Sequence, residues 1–152
     1  LRLGKKNETI IKNRKRIGKS DLIVEGKTNL LISVGNILKV AIEASKQLKR
    51  KKINNAVVDL RYVKPLDDKA LKIIFKKYKK IFVIEEHYSS GGAGSAVIEW
   101  AKKNSFNSDK IFLFGVENKF VYSAGSQSSA RDKVGLGIKN VVNRISKIIK
   151  KY

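Results

Sequence analysis

The chain has 152 residues, 42% hydrophobic and 31% charged, with a formal net charge of +21 at pH 7. That length and apolar share suit one globular domain with a core of its own and exclude a disordered polyelectrolyte. The absence of cysteine excludes disulfides and thiolate metal sites, and no apolar run approaches the ~18 residues that a membrane-crossing helix needs.

In chain order, residues 5–20 form a polar, lysine-rich lead-in. Asp21–Glu25 (DLIVE) then reads as a short strand. Asn29–Val34 (NLLISV) is a second, apolar throughout as strands covered on both faces are. Gly35 ends it, and Asn36 is placed to cap a helix whose apolar face carries Ile37, Ala41, Ala44 and Leu48, ending in Lys49–Lys52. Ala56–Leu60 (AVVDL) is the next strand. Pro65, the only proline, keeps Lys64 out of the helical region, and Asp67 is well placed as N-cap, with Leu66 and Leu71 as a hydrophobic staple. That helix continues through Ile74, Phe75 and Tyr78. Ile81–Glu85 (IFVIE) is a further buried strand, running into Glu86, His87 and a glycine cluster before a helix through Val97, Ile98 and Ala101. Ile111–Phe114 (IFLF) is the last strand. After a loop rich in serine and glycine, Ile138, Val141, Val142, Ile145, Ile148 and Ile149 define a final amphipathic helix.

Strands alternating with helices predict a three-layer α/β/α sandwich. Its sheet is expected to hold five mostly parallel strands, with Asp21–Glu25 as one antiparallel edge strand. There is no internal repeat.

Three segments are candidates for chemistry. Gly18-Lys19-Ser20 has the ending of a phosphate-binding loop but Asn13 where the motif requires glycine, and no strand before it. Gly91-Gly92-Ala93-Gly94-Ser95 stands between a strand and a helix, where backbone N–H groups can meet an anion. It lacks GxGxxG spacing, and a tight turn with close helix-to-sheet packing explains it better. Glu85-Glu86-His87 joins two carboxylates to the only histidine. Neighbouring strand residues point to opposite faces, so at most Glu85 and His87 share a side. A hydrogen-bonding or interfacial role suits the segment better than acid–base or metal chemistry. No residue is assigned as catalytic or as a metal ligand.

Lysine supplies 27 of the 34 basic residues. Together with abundant isoleucine and asparagine, that is the signature of an AT-rich coding sequence, whereas a dedicated phosphate reader favours the bidentate fork of arginine. A basic nucleic-acid-binding module is therefore the rival from another class, and no specific nucleic-acid partner is expected.

The ordered set of motifs resembles the C-terminal domain of the transketolase superfamily. It comprises Arg61-Tyr62-Val63-Lys64-Pro65-Leu66-Asp67 after a strand, Glu85-Glu86-His87, Gly91 to Val97 before a helix, and Gly125-Ser126-Gln127 followed by Gly135-Leu136. The variant Arg-aromatic-Val-Lys-Pro-Leu-Asp is most similar to 1-deoxy-D-xylulose-5-phosphate synthases. Gly115-Val116-Glu117-Asn118-Lys119-Phe120 departs from their usual Gly-Leu-Pro-Asp, and Glu86-His87 is as close to split, two-subunit transketolases. A transketolase, or the β subunit of a 2-oxo-acid dehydrogenase, is the alternative within the fold.

The resemblance implies a transferase that needs thiamine diphosphate and Mg, both held by other domains and not by this one. For the synthases it implies joining pyruvate, after loss of carbon dioxide, to glyceraldehyde 3-phosphate, a step of isoprenoid biosynthesis. It implies a homodimer supported by this domain, whose partners are the N-terminal and pyrimidine-binding domains or subunit. No membrane partner is implied, and the location is cytoplasmic or, in a eukaryote, a plastid-type organelle. Residues 1–20 would then be the remnant of the preceding pyrimidine-binding domain and its linker, and residues 21–152 the C-terminal-like domain. The lack of any methionine fits such a fragment. Arg2 matches the arginine that grips the sugar phosphate in the family. Arg61, Glu86, His87, Gly91, Gly92 and Gly94 are the expected interface residues.

Overall fold

A computed structural model describes residues 15–117 and 126–151. The elements are β1 (Lys15–Ile17), β2 (Ser20–Val24), β3 (Asn29–Val34), α1 (Leu38–Arg50), β4 (Asn55–Asp59), α2 (Asp68–Lys77), β5 (Lys80–Tyr88), α3 (Ala93–Lys103), β6 (Ile111–Val116), α4 (Gln127–Lys133) and α5 (Ile138–Lys151). One sheet runs in the order β1-β2-β4-β3-β5-β6. The four strands from β3 to β6 are mutually parallel, and β1 and β2 continue the sheet antiparallel.

The apolar runs form strands because each is covered twice. On one face Leu30, Ile32, Ile81 and Val83 pack under α2 and α3 with Leu71, Ile74, Phe75 and Val97. On the other Leu31, Val57, Phe82, Ile84 and Phe114 pack under α1 and α5 with Ala41, Ala44, Leu48, Val141 and Ile145. Alternate residues of one strand thus feed two cores, as a pleat requires. The result is the three-layer sandwich that the alternation predicts. No helix among the described residues is long and apolar enough to cross a membrane.

The structure departs from the sequence reading at four places. The sheet has six strands among the described residues, because Lys15–Ile17 adds an outer strand to β2. Its residues are largely exposed, so no apolar pattern marks it; the hairpin rests on Gly18, whose φ of +62° favours glycine. The expected edge strand therefore lies one place inside the sheet. Asn36 does not cap α1: Gly35–Ile37 forms a 3-10 turn with no side-chain cap. The serine-rich loop contains α4, capped by Ser126 accepting from Ser129 N–H at 3.2 Å.

Candidate functional site

In a parallel sheet wound in both directions, ligands bind beyond the carboxyl ends of the strands where the order reverses. Here neighbouring β3 and β5 connect outwards in opposite directions, β3 to β4 on one side and β5 to β6 on the other, so that crevice opens between the ends of β3 and β5. Its edges carry Gly35 and Asn36 from β3, and Glu85, Glu86 and His87 from β5.

Both sides of the crevice are closed by the protein's own side chains. On the α3 side Glu85 is 4% exposed, and its carboxylate accepts from Ala93 N–H at 2.7 Å and Gly94 N–H at 2.9 Å. Those amides are the start of α3, where unsatisfied N–H groups and the positive end of the helix dipole attract an anion. The anion is built in. Gly92 and Gly94 make the approach possible: a Cβ at Gly92 would stand 2.3 Å from the Glu85 carboxylate, and one at Gly94 would stand 2.5 Å from Leu113 Cδ2.

On the opposite face Glu86 meets Arg131 of α4, whose Nε donates to Oε1 at 2.8 Å. Arg131 Nη2 also donates to the Asn36 carbonyl at 3.1 Å. One guanidinium thus bridges the two strand ends that frame the crevice. The side chains of Arg131 and Glu86 are 13% and 21% exposed, so water screens the pair only partly.

A second closure lies beyond β4. Asp67 accepts from Ala70 N–H at 3.2 Å as the N-cap of α2, confirming the sequence expectation. Its other oxygen accepts from Lys19 N–H at 2.5 Å, Ser20 N–H at 2.7 Å and Ser20 Oγ at 2.9 Å. Burial alone would raise the Asp67 carboxyl. The bonds from Ala70 and from the Ser20 hydroxyl and amide, with Lys19, outweigh it and hold the group below its ordinary range. The Lys19 and Ser20 amides are thus already engaged. Nearby Asp21, buried in β2, meets Arg16 Nε at 3.2 Å and Arg61 Nη1 at 3.3 Å.

The predicted residues therefore separate into two groups. Glu86, Gly92 and Gly94 serve contacts inside the domain. Arg61, His87 and Gly91 are exposed, Arg61 while one guanidinium nitrogen still pairs with buried Asp21. Arg61 has a φ of +58° and stacks its guanidinium 5.9 Å from the Tyr62 ring. His87 lies against Tyr88, ring centroids 6.0 Å apart. Tyr62 and Tyr88, 46% and 42% exposed, put apolar area on the same end of the sheet. β3 separates Arg61 from His87, so they do not form one site. Arg2 lies outside the described residues. Arg131 was missed by the sequence reading; an arginine ending a run of serine, alanine, glycine and glutamine is the signal it left.

Comparison with known proteins follows the same line. The family "Transketolase, C-terminal domain" matches residues 18–141. The 1-deoxy-D-xylulose-5-phosphate synthase of Halothermothrix orenii is 35% identical over 105 residues, 69% of this chain and 16% of that protein. The synthase of Cytophaga hutchinsonii is 33% identical over 129 residues, 85% of this chain and 20% of that protein. Among solved structures, a split-gene transketolase in an inactive β4 tetramer superposes with a TM-score of 0.75 at 28% identity, covering 88% of this chain and 43% of that one. A mutant transketolase of Pichia stipitis, at 18% identity and a TM-score of 0.64, shares the fold over 89% of this chain and 18% of its own. The chain spans a fifth or less of the length of these two synthases. Its fold, its ordered motifs and the family match agree: the chain belongs to the transketolase C-terminal domain family.

Proposed function

We propose that this domain is the C-terminal, dimer-supporting part of a thiamine-diphosphate-dependent 1-deoxy-D-xylulose-5-phosphate synthase and does no chemistry alone. The observation that carries this reading is the closed crevice, in a chain whose relatives by sequence are synthases. At the place where the fold ordinarily takes a ligand, Glu85 fills the start of α3 and Arg131 ties the strand ends together. These residues do not fit a diphosphate. Its natural seat at the α3 amides is held by a carboxylate, and no three metal-ligating side chains cluster among the described residues. Cofactor and Mg therefore belong to the preceding domains, which supply the electron sink. This domain contributes a rigid surface: Arg61, His87 and Gly91 with Tyr62 and Tyr88 face a partner domain, while Glu86, Gly92 and Gly94 shape it from beneath. Arg2, at the junction with the pyrimidine-binding domain, binds the sugar phosphate, and a cytoplasmic setting goes with the reading.

Two measurements test it. Titration calorimetry of thiamine diphosphate with Mg²⁺ into this chain gives no binding heat; micromolar binding would overturn the assignment. Joined to the cofactor-binding domains, the chain supports dimerisation and condensation of pyruvate with glyceraldehyde 3-phosphate. Equal activity and the same sedimentation without it would do the same, whereas activity only with a ketose donor would move the reading to transketolase.

A further inference from the structure

The charge of this domain is sorted between its two ends. In a strand–helix–strand unit the helix runs back along the sheet, so helix C-termini and strand N-termini meet at one pole. α1, α2, α3 and α5 each finish there with two adjacent basic residues in the last turn. The links into the strands add Lys51 and Lys52 before β4, and Lys79 beside Lys80 at the start of β5. The carboxylates described at that pole are Glu25 and Asp109, whereas Asp59, Asp67, Asp68, Glu85, Glu86 and Asp132 lie towards the opposite one.

Helix dipoles account for some of this, since lysines near carbonyl ends are mildly favourable. Lys110 is the structural case. Its Nζ donates to Phe75 O at 2.5 Å, in the last turn of α2, and to Tyr78 O at 3.0 Å, just past its end, and burial lowers the readiness of its amine to hold a proton. Lys51, Lys52, Lys76, Lys79, Lys102 and Lys103 are exposed. The basic helix ends stand in two ridges, those of α1 and α5 on one face of the sheet and those of α2 and α3 on the other. The sheet edge between them has a notch of about 370 Å³ lined by Lys79, Lys80, Asn107, Asp109, Lys110 and Phe112.

We propose that this pole is a sequence-independent contact surface for single-stranded nucleic acid, separate from the crevice and from the proposed dimer surface. A basic groove with an aromatic side chain in its floor is what a phosphodiester strand with unpaired bases fits. Lysine point charges suit backbone contact without sequence reading. A lipid surface fits less well. A planar headgroup layer cannot enter the notch, and among the described residues the exposed large apolar side chains that would anchor it are elsewhere. Tyr62 and Tyr88 are at the other pole, and Ile73 is on the flank of α2.

The test is fluorescence anisotropy of a labelled 20-nucleotide RNA of mixed sequence with this chain. For about four phosphates engaged, affinity falls about 50-fold between 50 and 200 mM salt, and a scrambled sequence or its DNA counterpart binds within about three-fold. The quadruple variant K51E, K76E, K79E and K103E loses ten-fold or more. The control K39E, K64E, K133E and K139E carries the same change of net charge elsewhere and loses less than three-fold; circular dichroism checks that both fold. Equal losses in the two variants would reduce the effect to net charge and overturn the proposal. So would tighter binding of a duplex of the same length. Tighter binding to vesicles containing phosphatidylserine, lost in the same pole variant, would assign the surface to membranes instead.

Discussion

Replacing Asp67 with alanine tests whether one carboxylate joins the outer hairpin to the rest of the fold. Three backbone donors lose their acceptor, Ala70 N–H, Lys19 N–H and Ser20 N–H, while Ser20 Oγ loses one of two and keeps the Leu60 carbonyl at 3.2 Å. Loss of an N-cap costs about 1 kcal/mol. Ser20 is buried, and leaving its amide unpaired costs about 1–3 kcal/mol, whereas its hydroxyl turns to Leu60. Lys19 is exposed, so water replaces the carboxylate there at little cost. Because the bonds share one acceptor the losses do not add in full, and about 2–4 kcal/mol is expected. That is a large part of the ~5–15 kcal/mol holding a typical domain, and a fall in Tm of about 10 °C at this size. Asp67→Asn keeps a carbonyl acceptor and recovers roughly half.

The pH dependence fixes the mechanism. Asp67 is held below its ordinary value of 3.8 in the folded state. Its stabilisation is therefore complete above the unfolded value and lost as pH falls through the folded one. Urea unfolding of parent and D67A at pH 7 and pH 3 measures the difference at each pH, so charge effects common to both chains cancel. The gap should be widest at pH 7 and shrink by pH 3. A gap under about 1 kcal/mol at pH 7, or one unchanged at pH 3, would refute the reasoning.

Three other outcomes are expected. Glu85→Ala strips the carboxylate from two amides of α3 and should cost about 2–4 kcal/mol in a urea titration, with Glu85→Gln intermediate, because only one amide oxygen remains to accept. Gly94→Ala drives a methyl group into Leu113, and thermal unfolding should show a loss of about 1–3 kcal/mol. Arg131→Ala releases α4 from Glu86 and Asn36; the expected cost is about 1–2 kcal/mol with faster limited proteolysis near α4, and adding Glu86→Ala should cost little more, because both changes break one interaction.

Most of the architecture was legible because its strands are covered on both faces. NLLISV and IFVIE can satisfy neither solvent nor an amphipathic helix, so a buried parallel strand is their natural state. The cap at Asp67 was legible too, since an N-cap acts on the amide three residues ahead. β1 was not legible: its three residues are held by hydrogen bonds and a glycine turn, which leave no apolar period. α4 was hidden because seven residues of serine, glutamine and charge carry no buried side chain. The pairs that close the site were out of reach for another reason. Arg131 and Glu86 are 45 residues apart, Ser20 and Asp67 47, and no local pattern encodes which charge will find which.

The two poles differ in what their charges touch. At the carboxyl ends of the strands Glu85 is bound to α3, Asp67 to the hairpin and to α2, and Glu86 to α4. Each of those negative charges joins the sheet to a neighbouring segment, making that end rigid and closed to small anions. A helix start that lacks such a carboxylate must take its anion from solution, as phosphate-binding folds do. This domain keeps the helix start and supplies the anion itself, converting a ligand site into a joint. The lysines of the other pole have few carboxylates near them, so among the described residues the excess positive charge is concentrated there. A field of that asymmetry orients the domain against any polyanion it meets with the basic end foremost, leaving the crevice end free to pack on protein.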